Sequence, residues 1–123
     1  MDAPVVHFEI PAKNPEELSG FYTGIFGWKI EKVPGMEYWM INTKSKQEAP
    51  GINGGLMKKM NEGHVPTNYI DVKSVDEWAQ KVTAAGGKIC MPKTPVPQMG
   101  WFALCLDPEG NVFGLWQNDP NAK

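Results

Sequence analysis

The sequence predicts an α+β fold of two tandem βαβββ modules, and three observations carry the prediction. Short apolar stretches with alternating side chains are punctuated by 13 glycines and 11 prolines in a chain of 123 residues, as expected of strands separated by turns. Two stretches carry helix start signals followed by glycine stops. The order strand, helix, three strands is then written twice: Glu9-Ile10 can be laid on Asp71-Val72, and Gly27-Trp28-Lys29-Ile30 on Gly86-Gly87-Lys88-Ile89. A repeat of about 60 residues is too long for a solenoid period, and two copies are too few for an array. A single domain built from a duplicated half is expected, with modules near residues 1–62 and 63–123.

The first strand is "PVVHFEI", residues 4–10: Val6, Phe8 and Ile10 point one way, Val5, His7 and Glu9 the other. A helix follows, with Asn14 as N-cap, Pro15 in the first helical position, Glu16 and Glu17 in the first turn, and Gly27 as the stop. Leu18, Phe21, Tyr22 and Ile25 fall at helical spacing along it. The stretches "WKIEKV", "EYWMIN" and "GINGGLMKKM" read as three strands. The second half starts again at "TNYIDV", continues into a helix capped by Ser74 with Asp76 and Glu77 in its first turn, and stops at Gly86-Gly87. Strands at "KICM", "GWFALCLD" and "NVFGLWQ" complete it, with residues 92–99, "PKTPVPQM", expected as a stiff proline loop. Each sheet can pack one apolar face on its own helix. The opposite, mixed faces are then expected to curve around a shared cavity.

Composition bounds the partners. A hydrophobic content of 41% suffices for one real core, and a net charge of -2 without a long run of either sign argues against nucleic-acid or polybasic membrane binding. No apolar run approaches the roughly 20 residues of a membrane-spanning helix. Cys90 and Cys105 lie in apolar stretches without CxxC spacing and no signal peptide precedes them, so a cytoplasmic protein with reduced cysteines is expected.

Three stretches, "FYTGIFGWKI", "DVKSVDEWAQKVTAAGG" and "DPEGNVFGLW", occur in an order and spacing that resemble the vicinal oxygen chelate superfamily of glyoxalases, bleomycin-resistance proteins and extradiol dioxygenases. The resemblance covers nearly the whole chain and is strongest to small single-domain members. It implies two βαβββ modules forming an incomplete barrel of curved mixed sheet around a central cavity, and a homodimer by analogy. In metal-dependent members four side chains, usually His, Gln or Glu, meet at the cavity floor. Carried over one by one, those positions are Val5, Gly54 or Gly55, Thr67 and Gly114. None is a usual side-chain ligand, so no cofactor is expected; a divalent metal would need a nonstandard site around His7 and Glu9. Gly114, between Val112 and Trp116, is expected to leave room in the cavity.

Among the remaining groups, His7 and Glu9 share a face, as a general base with its orienter or as displaced metal ligands, or as cavity hydrogen-bonding groups without catalysis. Asp71 is matched to Glu9 and Tyr69 to His7 across the repeat, Tyr69 as a ligand hydrogen-bond donor or as filling. Trp39, Trp101 and Trp116 are candidate aromatic walls, with Cys105 beside Trp101. Asn53 and Met57 complete the candidate ligand-binding set. His64 belongs to a linker, and Asp107 to Gly110 form a structural turn. The function expected is binding of a small aromatic or apolar molecule without the metal quartet. The alternatives are a lyase, isomerase or dioxygenase with a nonstandard metal site, and a dimeric interaction domain.

Overall fold

The computed structural model describes residues 2–123 and contains eight strands and two helices in that span. Its backbone falls into two compact units, His7–Pro66 and Thr67–Lys123, the leading residues through Val6 grouping with the latter. The Pro4 carbonyl, for instance, accepts a hydrogen bond from the Asp71 amide at 2.9 Å.

In the first unit β1 (Val5–Ala12) leads into α1 (Pro15–Phe26), followed by β2 (Lys29–Lys32), β3 (Tyr38–Asn42) and β4 (Gly54–Lys58). Helix α1 starts as its sequence requires. The Asn14 side chain accepts from the Glu17 amide, Pro15 occupies the first turn, and Gly27 takes the left-handed conformation at φ 71° that closes the helix. The sheet order is β2-β3-β4-β1, with β1 and β4 parallel and the other pairs antiparallel. Ala12, Trp39, Ile41 and Leu56 form the core under α1, with Phe8, Ile10, Leu18, Trp28 and Ile30 against it. Alternation then puts His7, Glu9, Tyr38, Met40, Gly55 and Met57 on the other face of this sheet.

The second unit repeats the plan with β5 (Thr67–Asp71), α2 (Val75–Ala84), β6 (Lys88–Val96), β7 (Gly100–Leu106) and β8 (Val112–Asn118). Its order β5-β8-β7-β6, with β5 and β8 parallel, matches the first unit strand for strand. Ser74 caps α2, and Val72, Val75, Ala103, Cys105 and Leu115 form the core beneath it. The expected proline loop at 92–99 is corrected, because β6 runs on to Val96. An edge strand leaves one row of amides unpaired, so Pro92 and Pro95 are tolerated there, with register shifts between Ile89 and Met91 and between Met91 and Thr94. Neither helix is long and apolar enough to cross a membrane.

Candidate functional site

Three polar side chains converge on the face of the first unit's sheet that points away from α1. β1 presents His7 and Glu9 two residues apart, and β3 presents Tyr38, whose hydroxyl lies between them: His7 Nε2 is 2.8 Å away, and the hydroxyl donates to Glu9 Oε2 at 2.9 Å. Because the phenol proton is directed to the carboxylate, the oxygen accepts from His7, which assigns the Nε2–H tautomer to a neutral imidazole. Burial holds the His7 pKa below its ordinary 6.5, against the opposing charge of Glu9.

Gly55 explains how Tyr38 reaches this place. A Cβ at Gly55 would collide with the Tyr38 hydroxyl and ring, so the phenol occupies the space a side chain on β4 would fill. The register also settles the alternative left open between two glycines: Gly54 faces the Phe8 ring on the α1 side, whereas Gly55 pairs with Glu9 and shares the face of His7.

The second unit has a matching glycine with different contents. A Cβ at Gly114 would collide with the Tyr69 ring, which is nearly fully buried and meets Phe102 edge to face at 6.4 Å. The expectation that Gly114 leaves open room is therefore corrected: Tyr69 fills it. Ile10 pairs with Leu56 as Ile70 pairs with Leu115, which makes Glu9 the counterpart of Tyr69 rather than of Asp71. The same register makes His7, not Val5, the counterpart of Thr67.

On that register the four positions implied for a metal are His7, Gly55, Thr67 and Gly114. They do not fit one: both glycines lack a donor, a threonine hydroxyl is a weak ligand, and His7 Nε2 is engaged by Tyr38. Among the described residues no group of three or more His, Cys, Asp or Glu side chains is placed to hold a metal ion.

Other expected site residues go elsewhere. Trp39, Trp101 and Cys105 are corrected by face: all three pack on the helix side, in or against the two cores, because alternation with Met40, Phe102 and Leu104 turns them inward. Trp101 also donates its indole N–H to Asp119 at 2.9 Å and lies under Lys93, an arrangement that fastens the C-terminal segment. The Cys105 thiol is pushed up to about 11 by burial and by neighbouring Cys90, which removes it as a nucleophile at neutral pH. Asn53 accepts from the Thr43 amide and hydroxyl, a loop role. His64 accepts from the Met60 amide within its own loop. Met57 lies on the Tyr38 face, and Trp116 on the Gly114 face, half-buried, its indole donating to Asn118. Asp107 holds the turn through bonds from the Glu109 and Asn111 amides and the Asn111 side chain, each 2.9 Å. Two depressions of about 450 Å³ lie beside the helices, one lined by Asn14, Leu18 and Phe21, the other by Ala79, Thr83 and Ile89.

Tyr38 was missing from the candidates read in sequence, although the signal was present. Ile41 and Leu56 are unambiguous core residues, and counting back by twos from Ile41 buries Trp39 and exposes Tyr38.

Comparison with known proteins gives one consistent result. A model of the Glyoxalase/Bleomycin resistance protein/Dioxygenase superfamily matches residues 5–115. A Mycobacterium bovis protein described as "Putative glyoxylase CFP32" is 25% identical over 91% of this chain, and the anthracycline biosynthesis protein DauV of Streptomyces sp. strain C5 is 25% identical over 89%. The chain spans 43% and 45% of those relatives' lengths. A solved superfamily member from Vibrio splendidus 12B01 shares the fold, with a TM-score of 0.64 at 17% identity over 95% of this chain and 99% of that one.

Proposed function

This chain belongs to the Glyoxalase/Bleomycin resistance protein/Dioxygenase superfamily, and from that premise we propose that it is a metal-independent member that binds a small aromatic or otherwise apolar molecule. The observation that carries the reading is the Tyr38 hydroxyl held between His7 and Glu9 above Gly55. A phenol with fixed partners on both sides is a preorganised polar handle, and Met40 and Met57 beside it are adaptable apolar surface. Such a site orients a ligand through one or two hydrogen bonds and takes most of its affinity from apolar burial. The donor set at the superfamily's ligand positions supports binding without chelation.

The test is to strip the protein with a chelator and titrate it with a panel of flat aromatic compounds, an anthracycline-type ring system among them, by calorimetry and tryptophan fluorescence. Saturable binding that weakens about tenfold in Tyr38→Phe, and is unchanged by added nickel, zinc, iron or manganese, is the expected result. Ligand binding that depends on one tightly held ion per chain would overturn the reading in favour of a metal-dependent lyase, isomerase or dioxygenase using His7.

A further inference from the structure

We propose that the depression at the start of α1 is a second binding site, one that takes a small organic carboxylate whose charged end is held by Lys13 and Lys59 and whose apolar body lies on Leu18 and Phe21. The depression has a volume of about 450 Å³, within the range of small-molecule sites, and its lining shares no residue with the group of His7, Tyr38 and Glu9. It is a different site from the one argued above, and it stands or falls separately.

The backbone brings the two ammonium groups together. β1 and β4 run parallel, with Ala12 beside Lys58, and the Lys59 amide donates to the Ala12 carbonyl at 2.8 Å. Lys13 and Lys59 therefore leave neighbouring strands at the same end, and both line the depression. Among the described residues no carboxylate lies within 4 Å of either ammonium. Glu17 is the single acid in the lining, so two ammonium groups face one carboxylate. Like charges set side by side repel, and an anion between them relieves the repulsion.

Charge and apolar surface together select the occupant. Pro11, Leu18 and Phe21 give the depression an apolar wall, and the Phe21 ring is 54% exposed. That ring is held in place: it meets Tyr22 edge to face at 5.2 Å, and Tyr22 stacks on Trp28 at 5.0 Å. Docking on it orders little that is not already ordered. A neutral apolar molecule would cover the wall and leave the ammonium groups unused, whereas a bare anion would meet the ammonium groups and leave the ring in water. A carboxylate on an apolar body meets both. Two lysines are too few to track a nucleic-acid backbone, whose affinity grows with each phosphate neutralised.

Calorimetry and amide NMR of the full chain with naphthoate test this, with naphthylmethanol and inorganic phosphate as probes that carry only one of the two features. Saturable binding of naphthoate with a dissociation constant of the order of 1 mM is expected at low salt, with amide shifts around Lys13, Leu18 and Phe21 and weaker binding of the other two probes. Lys13→Gln combined with Lys59→Gln should raise the dissociation constant about tenfold, and salt at about 0.5 M should weaken binding as well. Phe21→Ala should weaken it too, with circular dichroism as a check on folding; both lysines are exposed, so their double variant decides the matter if Phe21→Ala fails to fold. Tyr38→Phe should leave these shifts in place, which separates this site from the ligand site proposed above. The proposal is overturned if naphthoate does not bind, or if its binding survives the lysine double variant and is lost in Tyr38→Phe. Phosphate binding as tightly as naphthoate would mark an adventitious ion only, and would overturn it equally.

Discussion

Replacing Gly114 by alanine tests whether the second unit's glycine is covered or open. The added methyl would meet the Tyr69 ring at Cδ2 and Cε2, with Cγ 2.9 Å away. Tyr69 has little freedom to yield, being 6% exposed and set edge-on against Phe102. Forcing one methyl into a packed place costs about 1–3 kcal/mol, which for a domain of this size lowers the thermal midpoint by roughly 3–6 °C per kcal/mol. The assay is urea denaturation of the wild type, Gly114→Ala, Tyr69→Leu and the double variant. A smaller side chain at 69 removes the clash, so alanine at 114 is expected to cost about 1 kcal/mol less in the Tyr69→Leu background, a coupling a double-mutant cycle resolves. If Gly114→Ala is neutral alone and uncoupled to position 69, the ring does not cover the glycine, and the comparison between the two units collapses.

Three further outcomes follow from the same geometry. Tyr38→Phe removes the hydrogen bonds of the hydroxyl to His7 and Glu9 and is expected to lower stability by about 1–2 kcal/mol in urea denaturation. Since burial lowers the folded-state His7 pKa below 6.5, the folded state binds fewer protons than the unfolded one in that window. The His7 contribution is thus complete above the unfolded value and lost as pH falls through the folded one, so the denaturation midpoint should drop on acidification through that window, less so in His7→Gln. Iodoacetamide at neutral pH should alkylate exposed Cys90 and spare Cys105 until the chain is denatured, as mass spectrometry of the peptides would show.

Most of the fold was legible because its determinants are local. Asn14 and Ser74 act on amides three residues away, Gly27 alone supplies its left-handed turn, and the duplicated order needed only the spacing of apolar stretches. The proline-rich stretch 92–99 misled because proline opposes a strand only where its missing amide is needed, and edge position is a property of the sheet rather than of the segment. The site was half legible. Alternation put His7 and Glu9 on one face, but along β7 it separates two apolar sets, Trp101-Ala103-Cys105 and Phe102-Leu104-Leu106, and which set is buried under α2 is decided by packing rather than by the pattern. The contact between Tyr38 and Gly55 depends on a pairing of β3 with β4 that no single segment encodes.

The two units make different uses of one vacancy. Gly55 and Gly114 hold corresponding places on β4 and β8, each followed by a buried leucine, and at each a tyrosine occupies the space a side chain would take. In the second unit the tyrosine comes from β5, and its nearly buried ring lies over the glycine and meets Phe102 edge to face. In the first it comes from β3, and the part placed at the glycine includes the hydroxyl, bonded to an imidazole and a carboxylate. The printed geometry thus distinguishes a ring set against Phe102 from a hydroxyl set between His7 and Glu9. Substitutions at Tyr69 should accordingly be read in stability, and those at Tyr38 in binding as well.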